Sequence, residues 1–123
     1  MLKAILSKGW KWITILLNAL LMIACNLIET ISPYDLTITR ISIIETRIKA
    51  YWKVHAQLPS HLSDLPILEG RDNNTTDGWG KNINYKTIGR STVTLSSFGA
   101  DGTFDGTDAN QDIIVTFNVN ETN

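Results

Sequence analysis

The sequence has little cysteine and histidine, the two residue types that most often build zinc and nucleophilic centres. Its single cysteine, Cys25, permits no disulfide within the chain, and with only two histidines there is no cysteine–histidine cluster for zinc. His55 and His61 flank a proline-containing break, and neither has a cysteine or glutamate at metal-ligand spacing. No serine stands in a nucleophile motif. We therefore expect a protein that is not an enzyme and has no small-molecule substrate.

Positive charge is also scarce after the first few residues. Three of the 11 basic residues, Lys3, Lys8 and Lys11, precede an apolar run, whereas all 12 acidic residues follow it. The folded part is therefore acidic, although the whole chain has a formal net charge of only -1. A domain without a basic surplus does not attract a phosphate backbone, so nucleic acid is not an expected partner.

The apolar run covers residues 13–28 and is interrupted mainly by Asn18 and Asn26. It is about as long as the shortest membrane-crossing helix, and the lysines before it predict an N-terminus in the cytoplasm. We predict that residues 1–32 form a membrane anchor or signal segment. Residues 33–123 would then form a periplasmic domain, held at the inner membrane by a single pass.

Three interpretations of this segment stay open. In the first, it is an uncut membrane span. In the second, Lys8-Gly9-Trp10 is a degenerate form of the Lys-Gly-Phe site that prepilin peptidases cut. In the third, residues 21–25 form a lipobox and Cys25 is lipidated; Ala24 fits that pattern, whereas Met22 stands where leucine is usual. All three place the folded domain outside the cytoplasm.

A long amphipathic helix is predicted after this segment. Pro33 fits a first helical turn, so either Ser32 or Asp35 is the expected cap, and Leu58-Pro59-Ser60 is expected to end the helix. Apolar residues recur along it at spacings of three and four, which puts them on one face. This stripe, which we expect to pack on another element, consists of Ile41, Ile44, Ile48 and Tyr51.

Short elements fill the second half of the chain. Trp79 is expected to close the edge of the core, and strands are predicted at residues 82–87, 91–97 and 112–118, with a turn at 88–90. The expected fold class is α+β, with the helix packed across one face of a three-stranded antiparallel sheet. The connector between helix and sheet is also expected to contribute apolar contacts, through Leu62, Leu65, Ile67 and Leu68.

Four aspartates lie in one glycine-containing segment between the second and third predicted strands. The segment FGADGTFDGTDANQDI, residues 98–113, holds Asp101, Asp105, Asp108 and Asp112. Carboxylates held this close repel one another, so the segment is either a solvated turn or a calcium site, because calcium binds several oxygens in flexible geometry. It is not an EF-hand loop, since Ile113 replaces the required glycine.

Several short motifs follow one another here in a specific order. The string Ser-x-Gly-Ala-Asp-Gly at residues 97–102, with Asp112-Ile113 after it, is the most specific of them. From about Ile41 to Ile113 the chain resembles the major pseudopilin of type II secretion, and type IV pilin-like proteins generally. The other motifs of this resemblance are Tyr51 eight residues before Pro59, Leu62-x-x-Leu65, Asp77-x-Trp79-Gly80 with Tyr85, and Gly106-Thr107.

The resemblance implies a pilin-like fold, in which one long N-terminal helix has a membrane or fibre half and a half packed on the sheet. It also implies calcium as a cofactor, bound in the loop before the last strand. On the matching positions, Asp101 is an implied side-chain ligand and a carbonyl near Phe98 an implied backbone ligand. Asp108 and Asp112 are candidates for an acidic pair that is adjacent in the family but split here by three residues. Asp105 is a further candidate.

For function, the resemblance implies a structural subunit that assembles at the membrane with other pseudopilin or secretion-apparatus subunits, and with copies of itself. Polymerising pilins keep a glutamate five residues into the mature chain, and counted from Trp10 that place holds Thr14. The alternative is therefore a membrane-anchored or lipidated calcium-binding accessory domain of the envelope that does not polymerise.

Overall fold

The computed structural model describes residues 9–20 and 30–121, and contacts divide the chain between Thr30 and Ile31 into two units. In the first unit, residues 9–20 form helix α1, whose residues are all exposed. None of the helices in the described ranges has the length and apolar character that a membrane crossing requires. Lys8 and Cys25 lie outside these ranges. Cleavage, lipidation and membrane insertion therefore stay predictions, as does the division of the chain after residue 32.

The second unit begins with helix α2, Pro33–His55, as the sequence predicts. Ser32 is the cap rather than Asp35, because the Ser32 hydroxyl accepts a hydrogen bond from the backbone N–H of Asp35 at 3.1 Å. The helix ends at His55, earlier than the predicted Leu58-Pro59-Ser60. The C-cap residue Ala56 has a left-handed φ of 52°, and its N–H donates to the Trp52 carbonyl. Ile41, Ile44 and Ile48 are buried as predicted, and Tyr51 is half-buried.

Three strands form one antiparallel sheet in the order β1-β2-β3: β1 is Asn84–Ile88, β2 is Thr92–Ser97 and β3 is Ile113–Asn118. The prediction is therefore confirmed for type, order and approximate bounds. β1 begins later than predicted, because Asn82 bridges to Thr76 and the N–H of Ile83 donates to the Thr75 carbonyl. Those residues are thus paired with the preceding loop instead of with β2.

The core lies between α2 and one face of the sheet. Val93 and Leu95 of the central strand are fully buried, as expected from the alternation of side chains along a strand. On β3 they are paired with Phe117 and Val115 respectively. Trp79 is half-buried against this core, which agrees with its predicted place. The buried apolar set is Ile41, Ile44, Ile48, Leu65, Ile83, Val93, Leu95, Ile113 and Val119.

The connector after α2 differs from the prediction at Ile67. Leu65 is buried and Leu62 packs against the core, but 71% of Ile67 is exposed. The reason is Arg47, a buried residue of α2 that donates to the Leu65 and Pro66 carbonyls at 3.4 and 2.8 Å. The connector therefore presents its backbone to the helix at this point, and the Ile67 side chain remains in solvent. Burial lowers the pKa of the Arg47 guanidinium.

Candidate functional site

The aspartate loop, defined here as residues 98–112, connects the central strand of the sheet to an edge strand. It leaves β2 after Ser97 and enters β3 at Ile113, and these two residues are paired with each other across the sheet. A single pair of residues in the sheet therefore fixes both ends of the loop. This location, between the second and third strands, is the one that the sequence predicts.

The loop folds back on a short 3-10 turn at Asp108–Asn110. The N–H of Ala100 donates to the Ala109 carbonyl at 2.8 Å, which joins the two arms of the loop. Glycine is required at two places: a Cβ on Gly99 would stand 2.7 Å from the Asn110 carbonyl carbon, and one on Gly106 would stand 2.5 Å from the Asn110 oxygen. The glycines thus allow the backbone to approach itself closely.

Two aspartates of the loop adopt left-handed backbone conformations. Asp105 has φ 73° and Asp108 has φ 53°. Aspartate tolerates this region better than most residues, although glycine adopts it at lower cost. The loop therefore keeps a carboxylate at two positions where the backbone alone would favour glycine.

Asp112 is the half-buried carboxylate of the loop. Its Oδ2 accepts a hydrogen bond from the backbone N–H of Asp105 at 2.9 Å. Its Oδ1 is shielded from solvent and has no hydrogen-bond partner, and it is the only buried side-chain polar atom of the described ranges in this condition. A carboxylate oxygen that has lost its water and gained no donor is unfavourable, which makes this atom the natural attachment point for a cation.

The other predicted ligands differ in their exposure and hydrogen bonds. Asp101, Asp105 and Asp108 are exposed, whereas Phe98 is half-buried with its ring 6.0 Å from that of Phe104. Asp101 accepts from the N–H of Thr103, and the side chain of Asp105 accepts from the N–H of Gly106. The structure thus brings Asp105 and Asp112 together.

No group of three or more histidine, cysteine or acidic side chains has a metal-binding arrangement anywhere in residues 9–20 and 30–121. The five ligand positions therefore stay predictions. The donors that the loop offers are carboxylate and carbonyl oxygens without nitrogen or sulfur, which fits calcium, and the unpartnered Asp112 oxygen fits a missing positive charge.

A buried turn beside the loop was not predicted as part of the site. Asp77 is only 1% exposed, and its Oδ2 accepts a hydrogen bond from the Ser97 hydroxyl at 2.7 Å. Ser97 is the last residue of β2 and directly precedes the loop. The signal was present in the sequence, because Asp77 and Ser97 both belong to the motifs of the resemblance, but nothing in their spacing indicates that they meet.

The remaining polar residues make contacts that stabilise the fold. Arg40 donates through Nε to Asp72 at 2.7 Å, and this hydrogen bond from the guanidinium lowers the pKa of the Asp72 carboxyl. The His55 ring lies 4.0 Å from that of Tyr51 at the end of α2. His61 caps the 3-10 turn at Leu62–Asp64.

A groove of about 570 Å³ lies at the C-terminal end of α2, and it shares no residue with the aspartate loop. Trp52, Pro59 and Arg90 are among the residues that line it. Tyr85 lies there too and donates to the Pro59 carbonyl at 2.7 Å; burial, followed by the neighbouring Tyr51, raises the pKa of its phenol. The groove and the loop are therefore separate features.

Comparison with known proteins supplies the family. The model of the family described as "Type II secretion system (T2SS), protein G" matches residues 24–116, more than half of the 123-residue chain. Searches of curated proteins and of solved structures gave no significant match. The match begins after Lys8-Gly9-Trp10 and so does not test that motif. It does confirm the resemblance of the folded part, and the chain belongs to the type II secretion system protein G family, that of the major pseudopilins.

Proposed function

We propose that the chain is a calcium-stabilised pseudopilin, in which the ion fixes the aspartate loop. Membership of the family makes the protein a structural component of type II secretion that assembles with other subunits of the apparatus. The calcium function goes beyond this, and one observation carries it: Asp112 Oδ1 is buried without a partner in a loop that contains three further carboxylates.

Asp112 is the first ligand of the proposed site, with Asp101, Asp105 and Asp108 as further carboxylate candidates and the carbonyl of Phe98 as the backbone candidate. The ion supplies positive charge and no chemistry of turnover. It offsets the repulsion between carboxylates and holds Asp105 and Asp108 in backbone conformations that otherwise weaken the loop. The loop then keeps one shape while the subunit contacts its neighbours.

Two further elements of the proposal concern the environment of the domain. The N-terminal segment anchors it at the inner membrane, with the folded domain on the periplasmic side, and copies of the chain associate in a fibre. The charge distribution supports the orientation, because Lys3, Lys8 and Lys11 precede the apolar run.

A second candidate function is that of an anchored accessory domain that does not polymerise, and Thr14 favours it. Where polymerising pilins have a glutamate, the Thr14 hydroxyl donates to the Trp10 and Lys11 carbonyls at 3.0 and 2.9 Å within α1. It brings no charge to pair with the amino terminus of a neighbour. N-terminal sequencing of protein from its own membranes separates the candidates: a chain that begins at Trp10 supports a processed subunit, and an uncut Met1 or a lipidated Cys25 supports a fixed anchor.

The calcium proposal is tested by thermal unfolding of the full-length protein in calcium and in EDTA. At a hundredfold excess of calcium over its Kd, we expect Tm to rise by about 10 °C, since a ligand of the folded state adds stability by mass action. Asp112→Asn keeps an acceptor for the Asp105 N–H but lacks the charge, so it is expected to lose most of this rise.

The matched control is Glu69→Gln, which removes an exposed carboxylate outside the loop and is expected to keep the full rise. The same Tm for the unmodified protein in calcium and in EDTA would remove the ion from the proposal. An equal calcium response in the unmodified protein and Asp112→Asn would remove Asp112 from the ligand set.

A further inference from the structure

The buried turn that contains Asp77 is satisfied without any ion. Asp77 Oδ1 accepts from the backbone N–H groups of Trp79 and Lys81 at 3.0 and 2.9 Å, and Oδ2 accepts from the Ser97 hydroxyl. The turn is closed by the N–H of Asp77, which donates to the Lys81 carbonyl at 2.6 Å. Three donors on one buried carboxylate compensate for its lost hydration, so the turn has one well-defined conformation.

This turn is fixed to the first turns of α2. The N–H of Gly78 donates to the Thr37 hydroxyl at 2.8 Å, and that hydroxyl donates to the Pro33 carbonyl at 2.7 Å. Gly78 has no room for a side chain, because a Cβ there would overlap the Pro33 carbonyl. Arg40 adds a hydrogen bond to the Asp77 carbonyl at 3.0 Å. The turn is therefore held against the first turns of α2.

The same turn also contacts the first residues of the aspartate loop at two points. Ser97 both donates to Asp77 and accepts from the N–H of Gly99 at 3.3 Å. Lys81 donates through Nζ to the Ala100 carbonyl at 2.6 Å. Both contacts fall on the backbone next to Phe98 and Asp101, which are two of the predicted ligand positions.

We infer that Asp77 and Ser97 are positioning residues for the aspartate loop, which they fasten to α2 without touching the ion. The inference rests on the proposed calcium function and adds the support of the site to it. Ser97 fixes the direction of the chain as it leaves β2, and Asp77 fixes the Ser97 hydroxyl. A ligand set held by such outer contacts binds its metal more tightly, because fewer arrangements have to be ordered on binding.

Calcium affinity of the full-length protein, measured by isothermal titration calorimetry, tests the inference. Ser97→Ala removes the hydroxyl that links Asp77 to Gly99, and we expect its Kd to rise by about tenfold, the usual scale for the loss of an outer contact. Ser96→Ala is the matched control. Ser96 is the neighbouring residue of β2 and only 9% exposed, and because side chains alternate along a strand it lies on the opposite face of the sheet to Ser97. We expect its Kd to be unchanged.

Hydrogen exchange is a second readout, and its response to calcium would not depend on Ser97 if Ser97 only stabilised the fold. Calcium should slow hydrogen exchange at the Trp79 and Lys81 amides, which donate to Asp77, because coupling between two sites is reciprocal. Ser97→Ala should abolish this slowing, and Ser96→Ala should keep it.

The outcomes distinguish the inference from the function on which it rests. If the unmodified protein binds no calcium, the proposed calcium function fails and the inference fails with it. If the unmodified protein binds calcium and Ser97→Ala binds it equally well, the inference alone is overturned. If Ser97→Ala does not fold in EDTA or in calcium, Ser97→Cys is measured instead. It has a similar size but is a weak hydrogen-bonding group, and an unchanged Kd in it overturns the inference equally.

Discussion

The buried turn that contains Asp77 can be compared with the aspartate loop. Both contain aspartate and glycine, but their carboxylates have different surroundings. Asp77 is buried, and donors from Trp79, Lys81 and Ser97 satisfy both of its oxygens. Asp112 is half-buried, with one oxygen satisfied by Asp105 and the other unpartnered. The first turn is complete as a structure of protein alone, whereas the second lacks a positive partner.

The surroundings of Asp72 are intermediate between those of Asp77 and Asp112. Its carboxylate is neither buried nor isolated, because Arg40 donates to it at 2.7 Å. The domain therefore stabilises three carboxylates in three ways: by hydrogen bonds at Asp77, by an ion pair at Asp72 and, on our proposal, by a bound ion at Asp112. The residue type is the same in each case, and the neighbouring donors decide which way applies.

The difference between the two regions is tested by removing the Asp77 carboxylate and, separately, one carboxylate of the aspartate loop, both in EDTA. Asp77→Ala leaves the Ser97 hydroxyl and two buried backbone N–H groups without an acceptor, so we expect the free energy of unfolding to fall by about 3 kcal/mol. Asp101→Ala removes an exposed loop carboxylate and should change the same quantity by less than about 0.5 kcal/mol without calcium. Urea denaturation measures both.

With calcium present, the losses of unfolding free energy for Asp77→Ala and Asp101→Ala should become more similar. In EDTA there is no bound ion to lose, whereas in calcium Asp101→Ala also loses the stability that the ion adds. An equal loss for Asp101→Ala in calcium and in EDTA would mean that Asp101 is not a ligand. A loss below about 1 kcal/mol for Asp77→Ala would contradict the view of its turn as a fixed scaffold.

The sequence predicts the fold better than it predicts these surroundings. The spacing of Ile41, Ile44 and Ile48 and the alternation around Val93 and Leu95 determine which faces are buried, because helix and strand periodicity are local properties. Bounds differ where a tertiary contact competes with the local pattern, as at Asn82, which pairs with Thr76.

Buried polar residues were not predictable in the same way. Thr37, Arg47 and Asp77 are all buried, although their residue types are usually exposed. Each is tolerated because its donors or acceptors meet partners far along the chain: the N–H of Gly78 for Thr37, the carbonyls of residues 65, 66 and 73 for Arg47, and Ser97 for Asp77. The sequence indicates a carboxylate-rich loop but cannot indicate that only one of its oxygens is shielded and unpartnered.

A smaller effect is expected from pH, through Asp72. The Arg40 hydrogen bond lowers the pKa of Asp72 in the folded state, so the folded protein binds this proton less readily than the unfolded chain does. The stabilisation is therefore present above the ordinary aspartate pKa of about 3.9 and is lost as the pH falls below it, toward the folded pKa. Asp72→Asn should be less stable at pH 7 and should lose less of its stability on acidification below about pH 4.

Urea denaturation at several pH values in EDTA measures this difference. Because the pair is partly exposed, the difference at pH 7 should shrink as salt is added. Glu69→Gln, which removes an exposed carboxylate, is expected to keep the acid dependence of the unmodified protein. The same acid dependence in Asp72→Asn would contradict a stabilising ion pair at this position.

The smallest effect is expected from the backbone of the loop itself, at Asp108. Its φ of 53° costs less for glycine than for aspartate, so Asp108→Gly should raise Tm by about 2 °C in EDTA, where no ion compensates for the strain. Asp101→Gly is the matched control, because Asp101 has no positive φ and should only lose backbone rigidity, with a lower Tm. In calcium, Asp108→Gly should instead lower Tm if the Asp108 carboxylate is a ligand, since the glycine variant then lacks a contact with the ion. A rise in Tm in both EDTA and calcium would leave Asp108 as a strained turn residue and confine the ion to the carboxylates near Asp112.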